Sequence, residues 1–270
     1  MSIYENATNK FESGAYAKAF NELLRKTNTV SYNALSEGNH GNTGSYALPA
    51  VNKEQYDARI LKESVFRNLA TVVYAPRTDS TIRTYDVDDV ATWLSDDTLG
   101  RDEFHVGADT FHTFTVGCHR LGTILRLSND FVYDSGFDIG KYVATSFAKK
   151  MAHNEDNAFI NGTGSDMPIG ILNATGGANV GVMAASTTVI TYDEVIKLFF
   201  SVKPEYRDGA VWLMNDTTAL ALRTLKDENG NYLWNQATDT ILGKKVVISN
   251  YMPNPTAGKK AIAFGDFSYY

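Results

Sequence analysis

The chain has 270 residues, 43% of them apolar and 21% charged, the balance of a globular protein long enough for one large or two small cores. Twenty-five basic against 31 acidic residues leave a formal charge of −6, which argues against a surface built to grip nucleic-acid phosphates. A single cysteine, Cys118, excludes an internal disulfide and fits assembly in a reducing compartment. No run reaches the about 18 apolar residues that suggest a membrane helix, and Glu5, Lys10, Glu12 and Lys18 break up any signal-peptide core.

The first predicted element is a short helix within AYAKAFNELLRK, with Ala15, Ala19, Phe20, Leu23 and Leu24 toward one side. A helix this short is marginal alone, so it is expected to dock as an arm. SEGNHGNTGS (36–45) reads as a flexible link. Residues 54–73 carry Ile60, Leu61, Val65 and Leu69, a helical pattern running into a strand. TIRTYDV and FHTFTVGCHRLGTILRL then alternate and are rich in Thr, Val, Ile and Phe. Fully extended, 104–127 would reach about 80 Å. It must either bend at Gly107, Gly117 and Gly122 or project as a long hairpin. The stretch DVDDVATWLSDDTLGRDE (86–103) holds seven acids and one arginine. Such a tip belongs in solvent or against a basic partner, which makes Asp96, Asp97, Asp102 and Glu103 candidate contacts.

The strongest local pattern spans 138–160, where Ile139, Val143, Phe147 and Met151 step by four and Tyr142 and Ala158 widen the stripe. Asp138 can cap its start, and Asn161-Gly162 supplies a left-handed stop. At about 1.5 Å per residue this is a rod of roughly 34 Å, a spine. Beyond it, Thr191 and Glu194 form a capping box before Val195, Leu198, Phe199 and Val202. VWLMN (211–215) is an apolar strand, Asp216 caps a helix running to Leu225, KDENGNYLW is a turn into a short strand, and KKVVIS and KAIAFG are strands with YMPNPTAG as the loop between them. This half reads as a compact mixed α/β domain.

Candidate chemistry is thin. FINGTGSDMPIGILN (159–173) is glycine-rich, but no lysine follows Gly164 as a Walker loop requires. Met167 stands where a dinucleotide fingerprint needs its third glycine, and the motif follows a helix instead of opening one. The simpler reading is a structural corner in which Gly162 ends the helix, Gly164 takes a positive φ, Pro168 fixes the exit and Gly170 follows. Asp227, Asn229 and Asn231 imitate a calcium loop, but its glycine is misplaced and Thr238 stands where the bidentate glutamate belongs. His105, His112 and His119 recur every seven residues, which in a strand turns His112 away from the other two. Cys118 reads as a small buried apolar side chain, not half of a dyad with His119. No catalytic, cofactor or metal residues are therefore assigned. Glu155 and Asp156 stand out differently: acids in a helix's last turns oppose its dipole, so a cation or backbone donor is expected to face them, in this subunit or another.

The order of these pieces resembles the major capsid proteins of tailed bacteriophages, of the Hong-Kong-97 type. The residues that carry the likeness are GSYALPAVNKEQ, NEDNAFINGTGSDMPIGIL, VWLMNDTTALALRTLKDENGNYLW and LGKKVVISNYMPNPTAGKKAIAFGDFS, and it covers roughly 15–270. The resemblance implies an α+β fold with an N-terminal arm (1–45) and a peripheral domain (46–164) that carries the spine helix and an extended loop at about 80–120. An axial domain (165–270) follows. It implies a non-enzymatic shell protein without cofactors that assembles with itself into pentamers and hexamers of an icosahedral head, in the host cytoplasm, around double-stranded DNA held by non-specific proximity. A scaffold, a portal and a decoration protein are further partners it allows, and a membrane is not. An encapsulin-like compartment shell and a nucleotide-dependent enzyme are the alternatives.

Family members continue past Gly-Asp-Phe with further strands. This chain stops at Tyr270, so either it is shortened or a remainder is missing. Nothing ahead of the arm resembles a cleaved scaffolding segment, so a mature chain or a separate scaffold is expected. Some members lock their shells by joining a loop lysine to a neighbour's asparagine. Between Lys62 and Lys141 this chain has no lysine, so a non-covalent shell is expected.

Overall fold

The computed structural model describes residues 14–25, 49–73, 81–86, 110–115, 117–128, 130, 132, 138–186, 189–226, 230–232, 234 and 238–270, with backbone alone for 81–86 and 110–115. The chain forms two compact units, Met1–Thr71 with Leu121–Tyr270, and Val72–Arg120. In the smaller unit β1 (Thr81–Asp86) and β2 (Thr110–Thr115) pair antiparallel, Thr81 opposite Thr115 and Asp86 opposite Thr110. Threonine and aromatic residues suit such a ladder. Asp96, Asp97, Asp102 and Glu103 fall outside the described residues, as does His105. Of the β-like run expected over 104–127, Thr110–Thr115 is strand, and 117–128 has no regular structure. Cys118 lies in that irregular stretch and is exposed, which corrects the buried reading: it falls past the end of β2, outside the ladder.

The larger unit opens with α1 (Gly14–Leu24), which buries Tyr16, Ala19 and Phe20; the stripe is centred on Tyr16, not Ala15, which is exposed. α2 (Ala50–Glu63) does not run into a strand but breaks at Ser64 and is followed by the single turn α3 (Phe66–Leu69). The spine α4 (Ile139–Asn161) starts on Asp138, whose carboxylate accepts the Lys141 N–H at 3.0 Å. Its buried stripe differs from the expected one. Ile139 and Val143 are buried, but the seam then follows Ala144, Ala148 and Ala152, each 0% exposed, while Phe147 and Met151 flank it half-buried. Ile60 of α2 packs on Ala148 and Ala152, because small side chains four residues apart let two helices approach closely.

The remaining elements are α5 (Tyr192–Ser201), α6 (Pro204–Arg207), β3 (Val211–Met214), α7 (Asp216–Arg223), β4 (Thr240–Ile241), β5 (Lys244–Ile248) and β6 (Ile262–Gly265), then a 3₁₀ turn over Phe267–Tyr269. The sheet order is β4-β5-β3-β6, with β3 parallel to β5 and antiparallel to β6. β3 is apolar throughout because both its faces are covered. Trp212 and Met214 join Val195, Ala219, Leu222, Trp234 and Ile241 on one side. Leu213 joins Phe66, Ile160, Ile171, Met252 and Phe267 on the other. Asn215, not Asp216, caps α7: it has the extended backbone a cap needs (φ −79, ψ 155) and accepts the Thr217 N–H, leaving Asp216 in the first turn where its charge suits the dipole.

The capping box of α5 is complete, with Glu194 N–H donating to Thr191 Oγ1 and Thr191 N–H to Glu194 Oε2 at 2.9 Å. Glu194 Oε1 also accepts Ala185 N–H at 2.7 Å, and the bonds from Thr191 and then Ala185 hold this carboxyl below its ordinary range. Thr191→Ala is expected to cost about 1 kcal/mol in thermal unfolding. A depressed carboxyl stabilises above its unfolded pKa, and that contribution is lost as pH falls through its folded value. The melting temperatures of wild type and Glu194→Gln should therefore converge on acidification; a constant gap would assign the effect to shape instead of charge.

Candidate functional site

Two arrangements occupy the C-terminal end of α4. The first is a polar node. Asp156 is 2% exposed, and its carboxylate accepts three bonds from the α2–α3 junction: Ser64 Oγ–H at 2.7 Å, Val65 N–H at 2.8 Å and Phe66 N–H at 3.2 Å. α3 has no capping side chain of its own, so a residue of another helix supplies the cap. Ser64 Oγ in turn accepts the Arg67 N–H at 3.1 Å. Arg67 donates through Nε and Nη2 to the two oxygens of Glu155, at 2.8 and 3.0 Å, the fork geometry that makes arginine–carboxylate pairs directional. The Glu155 bond is the main reason the Arg67 guanidinium is held more firmly protonated than usual, against the opposing effect of burial. Burial raises the phenols of Tyr56 and Tyr251, with smaller contributions from the charges of Glu155 and Asp156 respectively.

The node sets the position of Phe66. That ring is 1% exposed and meets Phe159, Phe267 and Tyr270 with centroids 5.8, 5.9 and 5.7 Å away. Asp156 thus joins the α2–α3 junction to the spine and, through Phe66, to the core under Leu213 of β3.

The second arrangement is the glycine-rich corner. Gly162 ends α4 with φ −60 and ψ 143, so the expected left-handed stop is corrected: the backbone is extended and any residue could adopt it. Space is what demands glycine. A Cβ on Gly162 would stand 1.9 Å from Pro168 O and 2.4 Å from Ala158 O, and one on Gly170 would stand 2.4 Å from Gly162 N. Gly164 does take a positive φ, 85°. The chain turns at 164–167 and comes back across its own helix end, with Thr163 bridged to Ile169. Ile171 N–H then donates to Phe159 O at 2.8 Å, Leu172 N–H to Ile160 O at 3.0 Å and Gly170 N–H to Gly162 O at 3.0 Å. A helix leaves its last carbonyls without partners, and here the returning segment supplies the donors. Tyr270 Oη–H adds a bond to Ile169 O at 2.6 Å, and burial raises that phenol too.

These geometries bear directly on chemistry. The N–H groups of Gly162, Gly170, Ile171 and Leu172 all point at carbonyls, so they form no cradle for a phosphate. Among the described residues no group of His, Cys, Asp or Glu could hold a metal ion. Also among the described residues, no helix is long and apolar enough to cross a membrane. His119 is exposed, while Asp227 and Asn229 lie outside the described residues.

The phage capsid family matches residues 44–270. The chain belongs to that family. Similar solved structures include the capsid of a native GTA particle (31% identity, covering 75% of this chain and 73% of that one, TM-score 0.62). The capsid of an empty GTA particle is also similar (31% identity, 76% and 74% covered, TM-score 0.64). Mycobacterium phage Bobi shares the fold at 16% identity (76% and 69% covered, TM-score 0.54). No curated protein matches. The protein is a major capsid shell protein, and in it the sequence-level candidates separate. Glu155, Asp156, Gly162, Gly164, Pro168 and Gly170 come together at one end of the spine helix. Asp96, Asp97, Asp102 and Glu103 lie in a stretch that is not described. The partners of the two acids, Ser64, Val65, Phe66 and Arg67, carry no signal in the sequence, because the contacts span 88 to 92 residues and no spacing rule reaches that far.

Proposed function

We propose that copies of this capsid protein assemble into pentamers and hexamers and close an icosahedral head of the Hong-Kong-97 type around double-stranded DNA in the host cytoplasm, without catalysis. The observation that carries this reading is the family match over 44–270, joined to 31% identity with a GTA capsid over 75% of the chain. That capsid was computed with five-fold symmetry, which supports pentamers here. The capsids it resembles favour nucleic acid over an enzyme as the cargo. In this reading 1–45 is the arm, 46–164 the peripheral domain with an extended loop at about 80–120, and 165–270 the axial domain. The glycine corner joins spine to axial domain, and Asp96, Asp97, Asp102 and Glu103 meet basic groups of a neighbour. A scaffold, portal or decoration protein would bind the assembled rings.

The test is assembly itself. Light scattering on the purified protein should show rings or large particles that loosen as salt rises, since the proposed contacts are screened. A single small species at all ionic strengths would overturn the reading. Boiled in detergent with reductant, particles should run as one band near 29.7 kDa. A ladder of multimers would mean that a lysine outside 63–140 cross-links neighbours.

A further inference from the structure

Around the C-terminal end of α5, the helix itself, α6 and the final 3₁₀ turn present large apolar side chains that are exposed among the described residues. Phe200 is 61% exposed, Tyr206 39% and Tyr269 76%. On the segment lying against the same helix, Val180 is 62% and Met183 87% exposed. Contacts made by their chain neighbours gather these positions about the same end of α5. A Cβ on Gly181 would stand 2.4 Å from Ser201 Oγ and 3.1 Å from Leu198 Cδ1, so the segment is pressed onto α5. The Arg207 guanidinium lies 4.8 Å from the Phe200 ring centre, and the Tyr206 and Tyr269 rings meet edge to face at 5.4 Å. The surface is held in place: Ala178 N–H donates to Ile171 O, Ala185 N–H to Glu194, and Arg207 to the carbonyls of Val202 and Phe200.

We infer that this surface is a contact between copies of the chain, centred on Phe200, Met183 and Tyr269. The inference rests on the shell reading and adds a location to it. Phe, Tyr, Met and Arg are the residues enriched where protein interfaces are driest. The rim decides the kind of partner. Lys203, Glu205, Arg207 and Asp208 alternate in sign; Lys203 and Glu205 pair at 3.8 Å while both mostly exposed, and the Asp208 side chain is fully exposed. A partner of one sign, nucleic acid included, would be repelled by half of that rim. A second copy brings the same alternation and can match it. Size agrees with a shell. A fully exposed aromatic side chain offers about 150–250 Å2, so three aromatic rings exposed to 39–76%, with the smaller Val180 and Met183 beside them, offer on the order of 600 Å2. That is less than the roughly 800 Å2 per partner of a stable pair, as suits one of several contacts that hold only when repeated around an axis.

Two variants and one cross-link test it. Phe200→Glu and Met183→Glu should keep the wild-type circular dichroism and melting temperature but require at least tenfold more protein to assemble, by sedimentation velocity. Leu220→Glu, at a position on α7 that is 62% exposed, should assemble like wild type. A benzoylphenylalanine at position 183 should give a covalent dimer of this chain when particles are irradiated. If both glutamate variants assemble normally, or if particles form and the photoprobe joins no second copy, this contact is wrong while the shell reading stands. If wild type itself never associates, the shell reading fails and takes this contact with it.

Discussion

Asp156→Ala should lower stability by about 3–5 kcal/mol, since it strands two backbone N–H groups and a hydroxyl that are each worth about 1–3 kcal/mol when buried and unpaired. The individual costs overlap, because the three donors share one carboxylate. For a chain of this size the loss corresponds to a melting temperature about 10 °C lower, read by circular dichroism on unassembled protein. Asp156→Asn keeps the shape and one acceptor oxygen and should lose roughly half as much. Arg67→Ala should lose least, about 1 kcal/mol, because that pair is partly exposed, at 31% and 20% for the two side chains. The order matters more than the values. If Arg67→Ala matched or exceeded Asp156→Ala, the ion pair and not the buried cap would be what holds the α2–α3 junction to the spine. A loss below about 1 kcal/mol for Asp156→Ala would mean that water replaces the carboxylate.

Gly162→Ala should be more damaging than alanine at any of the open positive-φ glycines. Its φ of −60 suits alanine, but the new methyl would stand 1.9 Å from a backbone oxygen. Both neighbours, Pro168 O and Ala158 O, are main-chain atoms fixed by the crossing, so neither can move without breaking the bonds that close the helix end. Overpacking typically costs about 1–3 kcal/mol, and a clash with main chain on both sides places this variant at or above the top of that range. Gly258→Ala is the control, with φ 73 and nothing within 4 Å of the added carbon, and should cost only about 1 kcal/mol. Urea unfolding of the two variants decides between space and φ as the reason for the glycine. If Gly258→Ala proved the more destabilising, steric crossing would not explain position 162.

The difference between these two glycines shows where reading from sequence stops. A helix over 138–160 was legible because its signals are local: a carboxylate that can reach the third N–H, apolar residues every four positions, and glycine at the end. The same holds for Thr191 and Glu194, for the strand VWLM, and for the ordered series of motifs that resembles phage capsid proteins. Each depends on atoms a few residues apart, whose geometry the backbone repeat already sets. Cys118, by contrast, read as buried and is exposed, because burial depends on what lies over a side chain and not on its neighbours in the chain. The face of the spine turned on three alanines instead of Phe147 and Met151, since how near α2 comes decides which side is covered. Glu155 and Asp156 announced in sequence only that they needed a partner. That the partners are Arg67 and the junction at Ser64–Phe66 was decided when folding brought together groups about ninety residues apart, where burial makes an unmatched carboxylate or N–H costly and favours an arrangement that pairs them.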